Sequence, residues 1–116
     1  MTREEKIDRI EFEDRYIRLE PEKEKVLVLT KWRMGTWFGK VGISFVVGRE
    51  NGLMVDKQFT TTSRRLVAVL KPILQKADRE NRESIRLSIT RMGEGFDTSY
   101  EVEELPLVEE EVISDG

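Results

Sequence analysis

Lys31-Trp32-Arg33-Met34-Gly35-Thr36-Trp37-Phe38-Gly39-Lys40 holds both tryptophans of the chain, one phenylalanine, three cations, two glycines and no acid. The stretch reads as two strand ends joined by a turn that contains Gly35. Two strands meeting at a glycine turn make an antiparallel pair, so the reading points to a β fold. It also sets flat aromatic faces beside positive charge. Bases stack on aromatic rings while Lys and Arg answer phosphates, so single-stranded nucleic acid suits such a surface. A hairpin whose rings complete a small core has the same composition, and the stretch alone does not separate the two.

The surrounding charge does more. The chain has 116 residues, one domain's worth, with 20 Lys and Arg against 23 Asp and Glu. From Glu101 onward there are seven acids and no base, whereas residues 26–100 hold 13 bases and 7 acids. A basic body therefore carries an acidic end, a polarity that suits a polyanion-binding body. Charged residues make up 37% of the sequence, above the usual ~25%, as in very soluble proteins or those of hot environments. There is no Cys and no His. Disulfides and Cys- or His-based metal sites are excluded, and so is the commonest general base. No apolar run approaches the roughly 18 residues of a membrane span, and the first residues lack the apolar core of a signal peptide. The expectation is a soluble cytoplasmic protein without a cofactor, in the host cytoplasm if the source is viral.

Outward from the opening stretch, the elements follow from local pattern. Residues 1–14 alternate charge and read as an arm. Tyr16-Ile17-Arg18-Leu19 reads as a short first strand, and Pro21 suits the turn after it. Residues 25–33 form a strand whose apolar start, Val26 to Leu29, suggests burial on both faces. Alternation places Val26, Val28, Thr30 and Trp32 on one side, and Leu27, Leu29, Lys31 and Arg33 on the other. A strand over 38–47 follows, with Val41, Ile43, Phe45 and Val47 on one face. Asn51-Gly52 is a strong hairpin turn, and 53–61 returns as the next strand. Thr62 or Ser63 caps a helix over 64–77, with Leu66, Val69, Leu70, Ile73 and Ala77 at helical spacing. Pro72 inside it predicts a kink or a split. Residues 84–91 and 98–105 are the last strands, separated by the Gly-rich turn 92–97. Pro106 ends the second, and 106–116 is an acidic flexible tail.

The predicted fold is therefore mainly β with one helix: a small OB-like antiparallel barrel of five to six strands, its helix between the fourth and fifth. A helix packed on an open antiparallel sheet is the alternative. The nucleic-acid-binding domain spans 15–105.

Catalysis finds little support. Ser63 near Arg64 and Lys71 could be drawn as a nucleophile and base, but a capping serine accounts for it better. Gly93-Glu94-Gly95 lacks the Gly-Lys-Ser/Thr ending of a phosphate loop and precedes a strand. The Glu109-Glu110-Glu111 run has no ligand spacing. Cations beside rings are the stronger signal. Lys31, Arg33 and Lys40 flank Trp32, Trp37 and Phe38. Lys57 and Phe59 share a strand face. Arg64 and Arg65 open the helix, at the positive end of its dipole. Arg86 and Arg91 lie in the penultimate strand. These twelve residues are the candidate groove. Phe45 and Tyr100 are assigned to the core, while Trp32 and Phe59 are open between core and groove.

Thr90-Arg91-Met92-Gly93-Glu94-Gly95-Phe96-Asp97-Thr98-Ser99-Tyr100-Glu101-Val102 resembles the closing hairpin of phage and viral single-stranded DNA-binding proteins, the helix-destabilising proteins of T-even phages and their relatives. Residues 16–19 and 25–29 are similar to their first strands. The resemblance covers roughly 16–105. It implies an OB-fold groove that binds single-stranded DNA, or RNA, with little sequence preference during replication, recombination or repair. It also implies an acidic tail that recruits replication or repair proteins or competes with DNA. Here that tail would act through Leu107, Val108, Glu109, Glu110, Glu111, Val112 and Ile113. Two departures matter: the Cys and His of the zinc site found in some members are absent, and no separate cooperativity domain is identified in these 116 residues. Self-association is left open. A different class, a protein-interaction subunit of a replication or transcription assembly, is the alternative. An enzyme using carboxylates or Lys is a weaker third.

Overall fold

A computed structural model of the chain describes residues 15–107. The expected charged arm and the tail from Val108 onward lie outside the described residues. The fold is mainly β. Five antiparallel strands form one sheet in the order β3-β2-β1-β4-β5, with one helix between β3 and β4. The elements are β1 (Glu24–Trp37), β2 (Lys40–Glu50), β3 (Leu53–Thr61), α1 (Arg64–Arg79), β4 (Ser84–Met92) and β5 (Ser99–Leu105), with a 3₁₀ turn at Gly95–Asp97.

β1 is the central strand and the longest, at 14 residues. Its apolar start is buried from Leu27 to Leu29, with Val26 half-buried: Leu27 and Leu29 enter the main core, and Val28 is covered as well. Leu27, Leu29, Ile43, Phe45, Val47, Phe59, Ile85, Leu87 and Ile89 make one apolar sheet face. Helix α1 lies on it through Leu66, Leu70, Leu74 and Ala77, all buried. Phe45 and Phe59 are direct cross-strand partners, stacked with ring centroids 5.9 Å apart. Burial of this kind is the dominant stabilising term, about 1.5–3 kcal/mol per large apolar side chain.

The two tight hairpin turns each have two successive residues with positive φ: Phe38 and Gly39 between β1 and β2, Asn51 and Gly52 between β2 and β3. That geometry matches the twist of the flanking strands. The Asn51 turn is the one expected. The first turn is not: Gly35 lies within β1, paired with Gly42, and the chain reverses at Phe38-Gly39 instead. Asn51 also ties its turn to β1, donating its N–H to the Val26 carbonyl at 2.7 Å and accepting the Val26 N–H on Oδ1 at 2.9 Å.

Ser63 caps α1, its hydroxyl accepting the Leu66 N–H at 3.3 Å. The helix runs unbroken through Pro72 to Arg79, so the predicted split does not occur.

One further expectation is corrected. Residues 16–19 form no ladder. They make only a parallel bridge, Tyr16 to Gln58, on the β3 edge, while Ile17 plugs the core. Closure into a barrel is not made among the described residues: β3 and β5 are both edges of an open sheet. The physical reason is visible in the packing. Helix α1 covers the apolar face that closure would otherwise have to bury, and it contacts both β2 and β5. One side-chain bond spans the ends of the two edge strands. Arg65, at the start of α1 just beyond β3, donates to the Thr98 carbonyl just before β5.

A basic groove at the start of the helix

A bulge in β1 decides which rings face where. Thr30 pairs with Val46 and Arg33 with Ser44, so β1 spends one residue more than β2 between those pairs. Lys31 takes the strain, with φ at +51°. The extra residue reverses the alternation beyond it. Trp32 was expected on the face of Val28 and Thr30. It packs instead against the main core, on the helix side, and donates Nε1–H to Asp78 Oδ1 at 3.0 Å.

The helix side of the sheet carries a wide groove of about 1160 Å³. Three parts of the chain build it. The β1–β2 hairpin supplies Lys40 and Val41, the first half of α1 supplies Arg64, Arg65 and Lys71, and the β4–β5 segment supplies Arg91, Phe96 and Tyr100. Five cations therefore line it, and none of its lining residues is acidic. The first turn of α1 contains no acid either, so the helix dipole adds positive potential there. Among the described residues no ion pair neutralises Lys40, Arg64, Lys71 or Arg91. Arg91 is partly buried, and its Nε has no hydrogen-bond partner among the described residues. A buried N–H without a partner costs free energy. Phe96 is 99% exposed on the 3₁₀ turn and Phe38 100% exposed at the tip of the β1–β2 hairpin.

Of the twelve residues expected in the site, the structure brings Lys40, Arg64, Arg65 and Arg91 into this groove; Phe38 precedes the lining residues Gly39 and Lys40 in the chain but is not itself among the lining residues. Others fall elsewhere. Phe59 is buried against Phe45, because the apolar face of β3 turns to the core. Lys57 is paired with Glu50 at 2.7 Å. Burial alone would raise the Glu50 carboxyl, but hydrogen bonds from Lys25 and Lys57 hold it below its ordinary range. Arg86 reaches the Pro106 carbonyl, at the far end of β5 from Tyr100, in a separate cleft that also includes Leu107. Trp37 does not line the groove: its ring lies over Gly35, where an added Cβ would come within 2.7 Å of it. Lys31 sits on the bulge, and Trp32 and Arg33 line a smaller pocket.

Sequence reasoning missed three members. Lys71 stands seven residues after Arg64, which puts both on one helix face. Phe96 is a lone ring in a Gly-rich turn, with no apolar neighbour to carry it into a core. Tyr100, assigned to the core, packs against it while also bordering the groove. The first two signals were present in the sequence.

No helix among the described residues is long and apolar enough to cross a membrane. Comparison with protein-family models, with curated proteins and with solved structures finds no match for this chain.

Proposed function

We propose that this chain is a non-catalytic protein that binds single-stranded nucleic acid in the groove at the start of α1. The observation that carries the reading is the groove's lining: five cations, no acid, and two exposed or half-exposed rings, Phe96 and Tyr100. Cations answer phosphates and rings stack bases at about 1–3 kcal/mol each. An OB-like character is part of the proposal. Four strand pairings, the helix position and the Arg65–Thr98 bond suit a barrel that lacks only its β3–β5 seam. Little sequence preference is expected, since no lining residue is arranged in a base-reading pair.

The test is a fluorescence titration with labelled oligonucleotides. Binding tighter to single than to double strands, weakening steeply as salt rises through counterion release, is the expected result. Absence of binding at low salt would overturn the proposal. One observation favours a second reading, a protein-interaction subunit: Leu53 and Met54 stand 72% and 80% exposed at the β2–β3 tip, outside the groove.

A further inference from the structure

Beside the basic groove, and sharing Lys71 with it, lies a second pocket of about 240 Å³ between β1 and the later half of α1. This is below the roughly 300–1,000 Å³ of sites that hold drug-sized ligands, and its scale suits one ring system. Ile43 and Leu74 are buried and form its floor. Trp32 and Met34 bring a half-buried indole and a thioether that is 51% exposed. Gln75 and Asp78 supply polar groups from α1. The Asp78 carboxylate uses Oδ1 to hold the Trp32 indole, and since Asp78 is exposed its other oxygen is open to the solvent side of the pocket. Lys71 and Arg33 add positive charge at the border.

From these we infer that the pocket receives one nucleobase, turned out of the strand that lies in the groove. The inference rests on the nucleic-acid reading above. An apolar floor, a flat ring, an acceptor for a base N–H and cations for the flanking phosphates are what an unstacked base needs. Lys71 carries the strand across: it lines the groove on one side and the pocket on the other. A purely apolar ligand would leave the other Asp78 oxygen and the Gln75 amide unused. A free phosphate would have to sit against that carboxylate.

The experiment uses the full chain, labelled with ¹⁵N, and two oligomers of equal length: oligothymidylate and an abasic deoxyribose-phosphate strand. Both can occupy the groove by charge, but only the first has bases. The Trp32 indole N–H signal, assigned with the aid of Trp37→Phe, is expected to move with oligothymidylate and not with the abasic strand. Gln75→Trp fills the pocket from an exposed helix position. It is expected to abolish that movement, weaken oligothymidylate about tenfold and leave abasic affinity unchanged. Met34→Phe serves the same purpose from β1 if the helix variant does not fold. Equal movement with both strands, or none with either while both bind, overturns the base pocket and leaves the groove reading in place. Failure of both strands to bind overturns the two together.

Discussion

Trp32 donates its indole N–H to Asp78 across 3.0 Å, joining the bulged part of β1 to the last turn of α1. The bond holds in place a ring that the bulge at Lys31 has already turned to the helix side of the sheet. Asp78→Ala is expected to cost about 1 kcal/mol in chemical denaturation, the usual net worth of such a bond. Trp32→Phe should cost a similar amount. In the double variant the losses should fall short of additive; full additivity would show that the bond contributes nothing.

Arg91→Ala should weaken oligonucleotide binding and lower the slope of log affinity against log salt by about one. Lys57→Ala, which removes a cation already held by Glu50, should leave both quantities unchanged. Equal effects from the two variants would mean that net charge, not the groove, attracts the strand.

The Glu50 carboxylate lies between Lys25 and Lys57 at 2.8 and 2.7 Å. Its pKa is lowered on folding, so the stability it brings is complete above the ordinary value of 4.5 and is lost as pH falls through the folded value. Glu50→Gln should therefore be less stable than the parent at pH 7. The gap should narrow below pH 4.5 in urea denaturation series. A gap that stays constant with pH would remove the carboxylate's charge from the explanation.

Gly42 has no room for a side chain. A Cβ there would stand 2.3 Å from the Thr61 carbonyl oxygen. Gly42→Ala is expected to destabilise by about 1–3 kcal/mol, as overpacking does. The disturbance should centre on the Ile43–Thr61 pair. Gly39→Ala meets nothing within 4 Å, so only its positive φ should count, at about 1–2 kcal/mol.

Several of these features were legible in the sequence, for identifiable reasons. Asn51-Gly52 announced its turn because few residue pairs accept two positive φ values in succession. The strands and helix followed from periodicity, which is local. What escaped was non-local or lacked a residue signature. Lys31 bears a positive φ usually given to glycine, so the bulge that moves Trp32 to the helix side had no mark. Gly35 was read as a turn, but it is there to accept the Trp37 ring. Residues 16–19 have strand composition and find only one bridge, because β3 is the single edge they meet. Closure of the sheet depends on whether β3 and β5 pair, which neither strand's composition records. In the site, charge pattern located the helix start and Arg91, while the Lys57–Glu50 pair and the Phe45–Phe59 stack removed two candidates through partners across the β2–β3 hairpin, which depend on its register rather than on either residue's type.

β1 pairs with β4 only from Glu24 to Thr30, and β2 pairs with β3 only from Ile43 onward. Beyond those points, residues 35–42 pair only with one another, with no third strand in register beside them. Opening that stretch breaks only the bonds between its own two strands and leaves the core covered. Its amides can therefore exchange with solvent through a local excursion, while those of Leu27 to Leu29 must await unfolding of the whole domain. The wall of the groove that bears Lys40 is thus the part of the sheet that yields at the least cost in free energy.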